Sequence, residues 1–106
     1  MRYESPATPQ EAVSLLASEK GKAFVLAGGT DLLVRMKTGR IEPDLVVDIK
    51  RIPDMLDIKA TAKGFRIGAA VTGAQMKANA RLAKAWPGVV EATNLIGSDQ
   101  IQGRCT

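Results

Sequence analysis

Apolar residues in the first half of the chain gather into two short runs, Ala23-Phe24-Val25-Leu26-Ala27 and Leu45-Val46-Val47, with an amphipathic stretch between them. A continuous apolar run of this length, bounded by glycine or polar residues, is the form of a strand covered on both faces. Ahead of the runs, Ala12, Leu15 and Leu16 follow the i, i+3, i+4 spacing of one helix face. Thr8-Pro9-Gln10-Glu11 signals the start of that helix: a capping threonine, a proline at the first helical position and a glutamate three residues after the cap, which reads as a capping box. Gly21 supplies the stop, because glycine adopts the left-handed conformation at little cost. Between the runs, Asp31–Lys37 predicts a short helix closed by Gly39, and Leu45–Ile49 a second strand. Strand, helix and strand at this spacing predict a right-handed parallel βαβ unit.

From Leu56 the period shortens to two. Leu56-Asp57-Ile58-Lys59 and Phe65-Arg66-Ile67 alternate around Lys63-Gly64, which predicts an antiparallel hairpin. Thr72-Gly73-Ala74-Gln75 repeats the capping pattern and starts a helix that Trp86-Pro87 interrupts. A last helix from Gly88 carries Val89, Val90, Ala92, Leu95 and Ile96 until Gly97 stops it, and Ser98–Thr106 reads as a polar loop. No internal repeat or low-complexity stretch is present.

Length and composition narrow the picture. The 106 residues have room for one small domain. Hydrophobic residues at 45% and charged residues at 25% are ordinary globular usage. A chain of this size buries ~60–70% of its unfolded surface, so the core is expected to be thin. The net charge of +4 comes from 15 Lys and Arg against 11 Asp and Glu, scattered without a basic run. Tyr3, Phe24, Phe65 and Trp86 are equally scattered, so the pattern is a solvated surface and no nucleic-acid partner is expected. With Cys105 alone and no histidine, an internal disulfide, histidine acid–base catalysis and histidine-ligated metal are excluded. No apolar leader or run of membrane-spanning length occurs, so no membrane span and a cytoplasmic location are expected.

The chemistry concentrates at Gly28-Gly29-Thr30, between a strand and a helix start. In one reading its backbone N–H groups face outward at the positive end of the helix dipole, the glycines admit a pyrophosphate to the backbone, and the Thr30 hydroxyl caps the helix or donates to phosphate. In the other, the glycines serve a tight turn only. Asp31 is expected in the first helical turn, since its carboxylate would repel phosphate. The dinucleotide pattern G-x-G-x-x-G fails because Gly-Gly-Thr-Asp-Leu-Leu lacks its later glycines, although Asp48 stands where a ribose-binding acid would be; it is expected to be a strand-end residue. A Walker loop fails for want of Gly-Lys-Ser/Thr.

Ala27-Gly28-Gly29-Thr30-Asp31-Leu32-Leu33, followed by Leu45-Val46-Val47-Asp48-Ile49, resembles the first FAD loop of the FAD-binding (medium) subunits of molybdenum hydroxylases, the family of carbon monoxide and xanthine dehydrogenases. Ile67-Gly68-Ala69-Ala70-Val71-Thr72 is similar to a strand of that family ending in threonine, and Ile96-Gly97-Ser98-Asp99-Gln100-Ile101 to the segment before its second FAD motif. The resemblance spans the chain. It implies an α+β, PCMH-type FAD-binding fold, with an α/β (βαβ) lobe over residues 1–55 and the start of a second α+β lobe over 56–106. It also implies FAD as cofactor, held at Ala27, Gly28, Gly29, Thr30, Asp31 and Leu32, with Thr72, Ser98, Ile101 and Thr106 as further candidates. No catalytic side chain or metal ligand is implied.

The implied function is an electron-transfer module, part of an FAD-dependent oxidoreductase, between a molybdopterin-binding large subunit, a 2Fe-2S small subunit and an external acceptor. The family's second loop reads Ile-Arg-Asn-Arg-Gly-Thr-Ile-Gly-Gly-Asn, whereas Gln102, Gly103 and Cys105 depart from it here. The sequence stops before the last four of those residues, so a truncated domain is expected, with Cys105 as a departure rather than a nucleophile. A non-catalytic interaction or remnant domain, binding FAD weakly or not at all, is the alternative.

Overall fold

The computed structural model describes residues 1–106. Its centre is β3 (Leu45–Asp48), every residue of which is buried. β3 lies between β1 (Arg2–Glu4) and β2 (Ala23–Leu26) in a three-stranded sheet of order β1-β3-β2, with both pairings parallel. α1 (Pro9–Ser18) links β1 to β2, and α2 (Leu32–Lys37) links β2 to β3, which gives the expected βαβ crossover. Alternation along β3 sends Leu45 and Val47 to one face, where they pack with Ala12 of α1, Ile49, Ile52 and Ala70. Each fully buried Leu or Val side chain stabilises the fold by ~1.5–3 kcal/mol, so this small cluster is a large share of what holds the sheet.

β1 was not evident in the pattern, because Arg2-Tyr3-Glu4 has no apolar signature and all three residues are exposed. It is a strand because β3 offers an unpaired backbone edge: Arg2, Tyr3 and Glu4 align with Leu45, Val46 and Val47. β2 corrects another expectation. It is half-buried rather than covered on both faces, and Val25 is 47% exposed, because β2 is an edge strand with one neighbour. The box expected at Thr8 is also altered: Thr8 Oγ1 accepts from Glu11 N, but the Glu11 carboxylate accepts from Ala7 N rather than Thr8 N.

The second half begins with the antiparallel hairpin β4 (Ile58–Thr61) and β5 (Gly64–Ile67). Residues 68–72, expected as a strand, form the connection to α3 (Gly73–Ala78), where Thr72 and Gln75 complete a capping box. The helix expected to run on to Trp86 breaks at Asn79, whose side chain accepts from Leu82 N and starts α4 (Ala80–Ala85). α5 (Pro87–Asn94) follows. Ser98–Thr106, expected as loop, contains the short helix α6 (Asp99–Gln102).

Val71, Met76, Leu82 and Val90 make a second core, with Ile58 and Phe65 against it. Ala70 belongs to the first cluster and Val71 to the second, so adjacent residues serve two cores. The molecule is accordingly a slab of 42 × 31 × 17 Å with a radius of gyration of 15.3 Å. A compact domain of this length would have ~13 Å. No helix is long and apolar enough to cross a membrane.

Candidate functional site

The β2–α2 loop is shaped by what holds its carbonyls. The Ala27 carbonyl accepts from Lys50 Nζ at 2.7 Å, the Gly28 carbonyl from Arg104 Nη2 at 3.3 Å, and the Gly29 carbonyl from Leu33 N at 3.1 Å. In a trans peptide the following N–H lies opposite the carbonyl, so these bonds also orient the N–H groups of Gly28, Gly29 and Thr30. None of the five N–H groups from Gly28 to Leu32 has an acceptor within the chain. A run of free donors at the start of a helix is an anion-binding arrangement.

The two glycines are glycine for different reasons. Gly29 has φ +86°, a left-handed conformation that L side chains avoid. Gly28 has an ordinary φ, but a Cβ there would lie 1.8 Å from the Arg104 carbonyl oxygen, so the C-terminal segment closes directly onto the loop. A tight turn accounts for Gly29, and the docking of a distant segment accounts for Gly28.

Loop and tail together wall an open cleft of about 510 Å³. Ala27, Gly28, Gly29, Thr30, Asp31 and Leu32 line it from one side and Thr106 from the other. Thr30 does not cap α2: Asp31 occupies the cap position, without a side-chain cap bond. The exposed Asp31 carboxylate lies 3.7 Å from Arg35, a pair worth little in water, and leaves Arg35 on the cleft wall. Thr72, Ser98 and Ile101 do not line the cleft. Thr72 caps α3, Ser98 stands at the cap position of α6 without a side-chain bond, and Ile101 lies against Gly97.

Cys105 is half-buried on the cleft wall, and its carbonyl accepts from Gly73 N at 2.9 Å. The tail is further anchored by Gln102, which is 5% exposed and donates from Nε2 to the carbonyls of Asn94 at 2.9 Å and Ile96 at 3.3 Å.

Behind the loop, Asp48 is a buried strand-end residue that accepts from Tyr3 Oη at 2.5 Å, from Lys50 N at 3.0 Å and from Lys50 Nζ at 2.8 Å. Burial pushes its carboxyl up, but the bonds from Lys50 and Tyr3 outweigh that and hold it below the ordinary value. The bond to Asp48 in turn raises the Tyr3 hydroxyl above its ordinary value. Lys50, Arg35 and Arg104 were missed as site residues. For Lys50 a signal existed, because a parallel βαβ unit brings the carboxyl ends of neighbouring strands together.

A family model described as the FAD binding domain in molybdopterin dehydrogenase matches residues 1–106. The carbon monoxide dehydrogenase medium chain of Hydrogenophaga pseudoflava is 33% identical over 98% of this chain and 36% of its own length. The nicotine 6-hydroxylase medium subunit of Paenarthrobacter nicotinovorans is 30% identical over 100% of this chain and 37% of its own.

Among solved structures, the carbon monoxide dehydrogenase of Hydrogenophaga pseudoflava lacking the Mo-pyranopterin moiety superposes with a TM-score of 0.94 at 32% identity, covering 100% of this chain and 37% of that one. Quinoline 2-oxidoreductase from Pseudomonas putida 86 gives 0.91 at 26% identity with the same coverage. The chain thus spans about a third of the length of these relatives. Its α+β architecture is that of the PCMH-type FAD-binding fold. By the match along its whole length, this chain belongs to the family of FAD-binding domains in molybdopterin dehydrogenases.

Proposed function

We propose that this chain binds the pyrophosphate of FAD on its β2–α2 loop, as the flavin-holding, electron-transferring module of a molybdenum hydroxylase-type oxidoreductase. The observation that carries the reading is the run of five backbone N–H groups, Gly28 to Leu32, without acceptors beside an open cleft. Bound FAD supplies the redox chemistry. The chain supplies grip and exclusion: the N–H run and the Thr30 hydroxyl donate to phosphate oxygens, Thr106 bounds the opposite wall, and Arg35 offsets phosphate charge.

The donor set fits a pyrophosphate, being several neutral N–H groups and a cation in one concave wall, with the loop's one carboxylate, Asp31, turned to solvent and paired with Arg35. Family membership supports the same cofactor. Relatives named medium chain or medium subunit are components of larger enzymes, and a molybdopterin-binding large subunit and a 2Fe-2S small subunit are the partners this reading implies. Titrating the folded chain with FAD tests the reading. Saturable quenching of flavin fluorescence, competed by ADP, is expected. Absence of saturation by a chain that circular dichroism shows to be folded would overturn it and favour a non-catalytic interaction domain.

A further inference from the structure

We infer that Lys50 is a positioning residue for the dinucleotide loop, fixing the Gly28 N–H toward bound phosphate by holding the Ala27 carbonyl from behind. The inference rests on the FAD reading of the cleft and adds a residue that neither the glycine pattern nor the site's lining includes. Lys50 Nζ donates at 2.7 Å to the Ala27 carbonyl and at 2.8 Å to Asp48 Oδ1, so its ammonium bridges the loop and a buried carboxylate. Asp48 is itself fixed by Tyr3 on β1 and by Lys50 N. The ammonium is therefore preset before any ligand arrives.

The peptide it holds is the one that matters. Ala27 O and Gly28 N belong to the same trans peptide plane, and pinning the oxygen fixes the N–H on the opposite side. Without the lysine, that plane is free to rotate about the flexible glycine that follows, and the first donor of the run loses its aim. Lys50 acts through the backbone and not by touching phosphate.

The test uses the 106-residue chain as wild type, K50M, K50R and the double variant D48N/K50M. FAD affinity by fluorescence quenching is expected to fall about ten-fold or more in K50M, the loss of one hydrogen bond from a charged donor. K50R, which keeps a cationic donor, is expected to recover most of it. Should K50M fold poorly because Asp48 loses its partner, D48N/K50M removes the orphaned charge and carries the same expectation. FAD affinity in K50M and D48N/K50M indistinguishable from wild type would overturn the inference.

A readout without flavin separates this failure from failure of the FAD reading. The backbone ¹⁵N order parameters of Gly28 and Gly29 are expected to drop in K50M and to return in K50R. If wild type binds no FAD, the functional reading falls while the order parameters still decide whether Lys50 positions the loop; equal values in wild type and K50M overturn it.

Discussion

The two walls of the cleft, the β2–α2 loop at residues 27–32 and the tail at 98–106, are both short and glycine-containing, yet they get their shapes from opposite sources. The loop's turn follows from neighbours in sequence, a strand that ends, a glycine at φ +86°, and a helix whose Leu33 N–H closes back on the Gly29 carbonyl, with Lys50 and Arg104 holding the Ala27 and Gly28 carbonyls from further off. The tail follows from distant parts of the chain. Its anchors are the Gln102 amide under α5, the Cys105 carbonyl bonded to Gly73 N, and the Arg104 carbonyl pressed against Gly28. The difference teaches that the site is a junction. One wall is made locally by the βαβ unit, and the other is delivered to it by the second half of the chain.

Gly28→Ala attacks the junction itself and has the largest expected effect. With 1.8 Å between the new Cβ and a backbone oxygen, no side-chain rotation relieves the clash. Overpacking costs ~1–3 kcal/mol, and a contact with backbone that cannot swing aside puts it toward the upper end, a large part of the marginal stability of a small domain. Thermal unfolding should show the loss, and FAD binding should vanish with it. A wild-type melting temperature in G28A would mean that the tail does not dock through the loop.

Gln102→Ala removes the tail's buried anchor and leaves the Asn94 and Ile96 carbonyls short of a donor, at ~1–3 kcal/mol. Stability should fall, and the amide resonances of Gly28 and Gly29, next to the Arg104 contacts, should shift while those of Ala23–Leu26 stay near their wild-type positions. Gly29→Val tests the other wall. It places a branched residue at φ +86°, costing ~1–2 kcal/mol for the left-handed backbone. A Cβ there also meets Leu33 Cδ1 at 2.8 Å, an end of a side chain that can move. Flavin retention should disappear with helix content, read by far-ultraviolet circular dichroism, nearly intact. Flavin bound normally by G29V would reduce the loop to a turn.

The same contrast explains what could be read in advance. The βαβ unit, the hairpin and the Thr72–Gln75 box rest on residues a few positions apart, and their patterns are visible without a structure. Asn79 carried a local signal too, a cap three residues before Leu82, but it was masked by the helical period on both sides. β1 carried none, because Arg2-Tyr3-Glu4 becomes a strand only when Leu45–Val47 presents an edge. Likewise α6 depends on carbonyls of α5 and the following turn to receive Gln102. Gly28 has a second reason to be glycine that its neighbours do not show. Phosphate access is local chemistry, whereas the contact that forbids a side chain there comes from a residue 76 positions away.

The smallest expected effect probes whether the loop, too, leans on something distant, through Tyr3, Asp48 and Lys50. In the folded chain the Asp48 carboxyl is held below its ordinary 3.8, its hydrogen bonds overcoming the penalty of burial. A carboxyl more acidic when folded contributes stability that is complete above that ordinary value and drains away as pH falls through and below it. Asp48→Asn should therefore flatten the acid limb of a plot of melting temperature against pH, while lowering stability at neutral pH.

Tyr3→Phe removes one of the bonds that lower Asp48 and should soften the acid limb in the same sense, to a lesser degree. Tyr3 itself titrates above its ordinary 10.0 because it donates to Asp48, so its contribution is present below that value and lost as pH rises beyond it. The alkaline fall of the melting temperature should accordingly also shrink in Y3F. If both limbs are unchanged in Y3F and D48N, the cluster is not coupled to folding.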